Sequence, residues 1–495
     1  MISYRKMLSS KRKPLFSAPS FQKILLGFIL LLVVLLLAGC KTSGSYGGSG
    51  TTQKILQYQK VDDGGWLTVF LNLKEKFGPE VLIDITSVEI KTGTSWIPLR
   101  SIPFAIDTKE LGAGQMLIAR NGVQAGSYSA LRFAVNQVSE RRGGSPKPLT
   151  MAGSTVEMEL PVSLDIEKGG SASLFVTWDV IASLTGHDTF AAAMVTNLQD
   201  IPLLVDLLFV ACPELDTVYV IRTDKNWVIS SIGIPGRPTY LDVDNRTNRL
   251  YILSSDERMI NVYDLNTNKI RDRFFIPMDN TPNYMFVGPE KRYAYLLDER
   301  GKGIFRVDIL NGSVERTITV DYQPNYAIFL EDQKNIAVSA IDKNIVYFLN
   351  PDTLENIGAI PVGNFPQGLA VWNNFLFIAE SGTNFVTSYR LNDRQQQSKV
   401  NVGFNPRRLI LKEDQLYVTN FNDGTVTVML PGQLNVSGEI FVGGKPFEMA
   451  KSESRRWLYI GNLEKRGVSV VDAISNRIKG FVDLQTVPLG MAVID

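Results

Sequence analysis

One histidine and two cysteines are all that this 495-residue chain offers for transition-metal or thiol chemistry. His187, flanked by Gly186 and Asp188, has no second histidine to complete a zinc site or to serve a nucleophile as base, so it reads as a solvent-exposed turn residue. With two cysteines, Cys40 and Cys212, disulfides do not carry the stability. Cys212 closes the apolar run "LLFVAC" and reads as a buried thiol at a strand end. Excess charge is missing too: the formal net charge is +1 and charged residues are 20% of the chain, which gives nucleic acid nothing to bind. Long hydrophobic runs are absent except at residues 24–38, and fifteen residues fall short of the roughly 20 that span a bilayer as a helix.

That one run has a setting. Arg5, Lys6, Lys11, Arg12, Lys13 and Lys23 precede it with no acidic residue among the first 39, whereas the remainder holds 45 basic against 50 acidic residues, a net of −5. A basic segment, a short apolar core and the small residues Ala38 and Gly39 form a secretory leader. The tetrad "LAGC" resembles the lipobox of bacterial lipoproteins. The resemblance implies cleavage before Cys40, with diacylation and N-acylation of that residue. Residues 1–39 are then a signal peptide, and residues 40–53 ("CKTSGSYGGSGTTQ") a lipidated cysteine on a flexible tether. The implied location is the bacterial cell envelope, and the outer membrane of a Gram-negative cell, since Lys41 rather than Asp follows the cysteine.

From residue 207 onward a unit of about 40 residues recurs. "RLYILSSDERMINVYD", "YAYLLDERGKGIFRVD", "FLFIAESGTNFVTSYR" and "QLYVTNFNDGTVTVML" each place two alternating runs around a polar turn, the pattern of a β-hairpin. A third run and a proline-led fourth follow. The prolines are Pro238, Pro282, Pro324, Pro366, Pro406, Pro446 and Pro488, spaced by 44, 42, 42, 40, 40 and 42 residues. Four short strands per unit of this length predict a β-propeller. The first unit lacks a proline-led strand and the last carries a spare one, "PLGMAVID", so pairing the two completes seven blades and removes both free edges. The "LYVTN" and "GTVTV" runs resemble the YVTN-type propeller repeat of exported microbial proteins over residues 207–495.

Residues 54–200 show no such period. "GWLTVFLNL", "VLIDITSVEI", "SWIPLRSI", "MLIARNGV", "SYSALRFAVNQV", "TVEMELPVSL", "ASLFVTWDVIASL" and "TFAAAMVTNL" read as successive strands of an antiparallel β-sandwich. "SWIPL", "GSYSALRF" and "LFVTWDVIASL" resemble a bacterial family of unknown function, the DUF4382 type, with Trp178 where that family usually has Phe. The fold class is therefore all-β, a sandwich followed by a seven-bladed propeller closed by the C-terminal strand.

No catalytic constellation, metal site or cofactor motif emerges. The carboxylates between second and third strands (Asp256, Glu257, Asp298, Glu299, Asp342, Glu380, Asp423, Glu464) alternate with Arg258, Arg300, Lys302, Lys343, Lys465 and Arg466, which reads as a mixed-sign solvated rim rather than a Ca²⁺ ring. Residues just after the prolines crowd the channel mouth. Tyr240, Tyr284 and Tyr326 form an aromatic sector opposite the polar Gln367, Arg407, Arg408 and Glu448, a candidate ligand surface. The alternative is that these tyrosines are core between blades. The expected function is a non-catalytic envelope module that holds a protein, peptide or glycan, and a lactonase-like or other hydrolase acting at the funnel is the alternative.

Overall fold

A computed structural model describes residues 58–495 apart from 113, 143–144, 200–205 and 279. The leader, Cys40 and the tether lie outside the described residues. Among the described residues helix is confined to the single turns Thr108–Leu111 and Val180–Ser183 and a 3-10 turn at Pro213–Leu215, and no helix is long and apolar enough to cross a membrane.

Two sheets form first. One has the spatial order Met194–Leu198, Ser171–Trp178, Gly64–Leu73, Gln115–Gln124. The other centres on Val81–Thr92 and Gly126–Arg142, which pair with each other and with four further partners. Alternation places Val81, Ile83 and Ile85 inward between half-buried neighbours, and these residues join Leu67, Val69 and Leu71 in one apolar core. Three details depart from the sequence reading. "TFAAAMVTNL" is split into Thr189–Phe190 and Met194–Leu198, which belong to different sheets. Gly64–Leu73 pairs with Ser171–Trp178 in parallel, so the sandwich is mixed rather than antiparallel. "ASLFVTWDVIASL" is not one strand: it stops at Trp178, and Asp179 caps the turn Val180–Ser183 by accepting from Ala182 N at 2.8 Å.

Seven four-stranded antiparallel sheets follow. In the sixth the strands are Pro406–Lys412, Gln415–Asn420, Thr425–Leu430 and Asn435–Phe441, with Gly424 at φ 68° in the turn, where a side chain would be strained. The middle strands are buried on both faces, as in Leu416, Tyr417 and Val418. Outer strands such as Lys269–Phe275 and Asn435–Phe441 are mostly exposed and carry more polar residues than the middle strands. The first sheet differs in origin. Its strands Leu207–Cys212, Thr217–Arg222 and Trp227–Gly233 are completed by Met491–Ile494, antiparallel to Leu207–Cys212 from Val210↔Met491 to Leu207↔Ile494. Five of the seven prolines begin a strand. Pro282 and Pro488 instead precede strands that begin at Tyr284 and Met491.

Each sheet touches the next. Gly490 N donates to Thr239 O at 2.7 Å, joining first to second; Ser255 Oγ donates to Pro282 O at 2.8 Å, second to third; Thr419 Oγ1 donates to Phe447 O at 2.9 Å, sixth to seventh. The outward face of Gly64–Leu73, bearing Trp66 and Phe70, packs with Leu117 and Phe175 on Leu208, Val210, Tyr219 and Ile221 of the first sheet. Arg120, fully buried, crosses this boundary: Nη2 donates to Tyr219 OH at 3.0 Å and to Leu484 O at 2.6 Å, and Nε to Thr68 Oγ1 at 3.3 Å.

A candidate site where the first strands converge

The second residue after each proline is Tyr240, Tyr284, Tyr326, Gly368, Arg408, Glu448 or Gly490. The tyrosines come together: Tyr240 and Tyr284 meet at 4.8 Å between ring centroids, Tyr284 and Tyr326 at 4.5 Å. Arg408 reaches across from the sixth sheet. Its Nε donates to Glu448 Oε2 at 3.0 Å and its Nη2 to Tyr240 OH at 2.9 Å, while Tyr240 OH itself donates to Glu448 Oε2 at 3.0 Å. The guanidinium lies 4.4 Å from the Tyr326 ring and 4.8 Å from Phe447. The aromatic and charged sectors, expected to face each other across an open mouth, are thus in contact. Space for them comes from the two glycines. A Cβ on Gly368 would stand 2.6 Å from Arg407 O, and one on Gly490 2.6 Å from Tyr240 Cα.

Electrostatics follow from burial. Arg408 is 4% exposed and Glu448 7%, so their charges stand only because each neutralises the other and both are hydrogen-bonded. Burial pushes the phenols of Tyr240 and Tyr284 well above their ordinary range and that of Tyr326 up to about 12, so all three are neutral hydroxyls at physiological pH. Burial also opposes the Arg408 charge, but Tyr240 and Glu448 outweigh it and hold the guanidinium firmly protonated. Arg407, its neighbour, does not join the pair. Its guanidinium sits 5.1 Å from Phe421, and burial with the adjacent Arg408 lowers its basicity. Gln367 is 2% exposed on Pro366–Trp372. Phe447, which the sequence reading passed over, carries the signal that would have found it: it directly follows Pro446, as Gln367 and Arg407 follow theirs.

The carboxylates between second and third strands are not all solvated. Asp298 and Glu380 are 2% and 1% exposed: Asp298 caps its turn by accepting from Gly301 N at 2.7 Å, and Glu380 accepts from Gly363 N at 2.8 Å in the segment that leads into Pro366–Trp372. Asn462 does both at the matching position, with Oδ1 accepting from Lys445 N and Lys465 N. Among the described residues no group of three or more His, Cys, Asp or Glu is placed to hold a metal ion. His187 is exposed, and the Cys212 thiol is fully buried, which pushes its pKa far up and keeps it protonated.

A cavity of about 360 Å³ opens at the end of the sheets away from the prolines, between the third and fourth sheets. Tyr293, Tyr295 and Phe329 line it together with Glu290, Glu331 and Lys334. Tyr293 is braced from behind by Arg306, 3.5 Å from its ring, which is itself held by Glu315 at 2.7 Å and Asp352 at 3.0 Å. Tyr295 is fixed through its hydroxyl to Pro351 O at 3.3 Å. Among the described residues Glu290, Glu331 and Lys334 enter no ion pair.

Residues 76–191 match a family model described as a domain of unknown function, DUF4382. A comparison with curated proteins found no match. Among solved structures, a functionally unknown protein from Desulfotomaculum acetoxidans DSM 771 is similar with TM-score 0.52 at 15% identity, covering 58% of this chain and 99% of its own. Virginiamycin B lyase from Staphylococcus aureus is similar with TM-score 0.45 at 13% identity, covering 51% of this chain and 87% of its own. The dihydro-heme d1 dehydrogenase NirN gives TM-score 0.47 at 12% identity over 61% of this chain and 67% of its own. At 15% identity the likeness to the Desulfotomaculum acetoxidans protein is one of fold alone.

Proposed function

We propose that the seven sheets are blades of a closed propeller built from YVTN-type repeats, and that the chain is a lipid-anchored module of the bacterial cell envelope that binds a peptide or glycan segment without transforming it. The reading of the ring rests on the return of Met491–Ile494 to Leu207–Cys212 and on the succession of sheet-to-sheet contacts. The reading of the anchor rests on the leader and Cys40.

The observation that carries the binding role is a contrast between two places. At the axis Arg408, Glu448 and Tyr240 spend their polar atoms on one another, forming a plug in which no acid or base stands free to act on a substrate. In the groove between the third and fourth blades the aromatic wall is held by Arg306 and Pro351, while among the described residues Glu290, Glu331 and Lys334 enter no ion pair. An aromatic wall held in this way, with a few polar groups outside ion pairs, is the composition of a recognition pocket. The ligand role given to the post-proline residues passes, on this reading, to the groove.

A photo-reactive residue at Glu331 in intact cells tests this directly. We expect one dominant peptide or glycan adduct there, lost on Tyr293→Ala, and no peptide or glycan adduct from the same probe at Phe365 on the opposite end. Hydrolysis of a lactone or ester panel that disappears on a single carboxylate substitution at the proline end would replace this reading with an enzyme.

A further inference from the structure

Exposed phenylalanine is unevenly distributed over the seven sheets. Phe275, Phe365, Phe404, Phe441 and Phe481 are 53, 54, 62, 73 and 42% exposed. All five lie at the end that carries the prolines. Phe365 and Phe404 occupy segments leading into a first strand, Phe275 and Phe441 end their outer strands, and Phe481 is two residues from the end of its own. The opposite end exposes single aliphatics in turns, such as Leu310 and Ile474. Scattered apolar residues are ordinary on a surface, but five rings on one rim mark a surface that meets something apolar. Two exposed lysines stand among them: Lys445 lies 5.7 Å from the Phe421 ring and Lys465 6.0 Å from Phe481, and among the described residues neither pairs with a carboxylate.

The point of chain entry decides what that something is. Tyr58 OH accepts from Arg466 Nη2 at 3.3 Å and donates to Glu214 Oε2 at 3.4 Å. Glu214 and Arg466 sit between second and third strands of the first and seventh sheets, so the polypeptide joins the body at the same end as the phenylalanines. Seventeen residues, rich in Gly, Ser and Thr, separate Tyr58 from Cys40. A flexible chain of that length spans only about 20–25 Å on average. We propose that this rim lies on the lipid bilayer, with Phe365, Phe404 and Phe441 in the headgroup region and Lys445 and Lys465 against anionic headgroups. The inference rests on the anchor at Cys40 and turns the groove between the third and fourth sheets away from the membrane.

The test uses the full chain, expressed in a bacterial host with fatty-acid labelling and reconstituted in phosphatidylethanolamine/phosphatidylglycerol vesicles. Cys212 is buried and Cys40 is the acylation site, so an introduced thiol takes a fluorescent dye selectively. With dye on Phe404→Cys or Phe441→Cys, a lipid-borne quencher is expected to act at least threefold more strongly than with dye on Leu310→Cys, and Lys445→Glu/Lys465→Glu should narrow the gap. Equal quenching at the two ends, with fatty acid present on the protein, overturns the rim proposal and leaves the anchor standing. A rim thiol shielded in cells yet unquenched by lipid overturns it in favour of a protein partner. No fatty-acid incorporation overturns the anchor, and the rim proposal falls with it.

Discussion

Removing Arg408 is the sharpest perturbation of the cluster where the first strands converge. Arg408→Met keeps most of the stem that packs on Tyr326 and Phe447 but deletes the cation, leaving the Glu448 carboxylate, 7% exposed, without its 3.0 Å partner. Breaking a buried pair from one side costs about 3–5 kcal/mol, because the remaining charge stays buried and uncompensated. With an unfolding entropy of about 2.1 cal/mol/K per residue over the seven sheets, roughly 0.6 kcal/mol/K, the melting temperature should fall by about 5–8 °C. Arg408→Met/Glu448→Leu removes both charges and should recover most of that loss. What remains is the Tyr240 hydroxyl, stripped of donor and acceptor, at about 1–3 kcal/mol, and adding Tyr240→Phe should remove this deficit as well. Scanning calorimetry on the four proteins reads the series. A single variant that melts within about 1 °C of the parent, or a double variant worse than the single, would refute the account of a desolvated, mutually satisfied pair.

Three further outcomes follow from other contacts. Arg120→Met leaves Leu484 O without its donor and Tyr219 OH with Thr68 Oγ1 as its remaining partner, so protease should begin to cut near residues 484–490 and stability should drop by about 1–3 kcal/mol. The Asp206 carboxyl is held below the usual carboxylate range chiefly by its hydrogen bonds from Arg455, at 3.0 and 2.9 Å. Its contribution is therefore present above about pH 4 and fades as pH falls through the lowered value. Arg455→Met should lower the melting temperature at pH 7, and the difference from the parent should begin to shrink below about pH 4 and disappear only once the pH is below the lowered value. Cys212 should resist thiol reagents in the native protein and react fully in denaturant, since burial keeps it a neutral thiol.

Much of the fold was legible because each repeat restates the same physics. The proline spacing and the alternating middle strands located all seven sheets, and the unmatched strand at each end foretold the pairing of Met491–Ile494 with Leu207–Cys212. Reading failed where tertiary context overrode local pattern. Nothing in "GWLTVFLNL" says that its neighbour runs parallel, since a strand buried on both faces looks the same in either direction. "WDVIAS" is apolar enough to read as strand, yet Asp179 supplies a cap that turns it into helix. Of the post-proline residues, Tyr240, Tyr284, Tyr326, Arg408 and Glu448 meet while Arg407 stays apart, and that Arg408 would reach Glu448 and Tyr240 rather than solvent depends on strands far apart in sequence. The carboxylates of Asp298 and Glu380 looked like rim charges because the backbone amides that donate to them are invisible in a sequence. The phenylalanine rim escaped notice for a related reason: its members sit at different offsets within their repeats.

Amide hydrogen exchange on the intact chain tests ring closure most directly. If Met491–Ile494 completes the first sheet, the amides of Leu207–Cys212 exchange as slowly as those of the buried strand Gln415–Asn420. Exchange of Leu207–Cys212 within seconds, as at an unpaired edge, would contradict the closed ring.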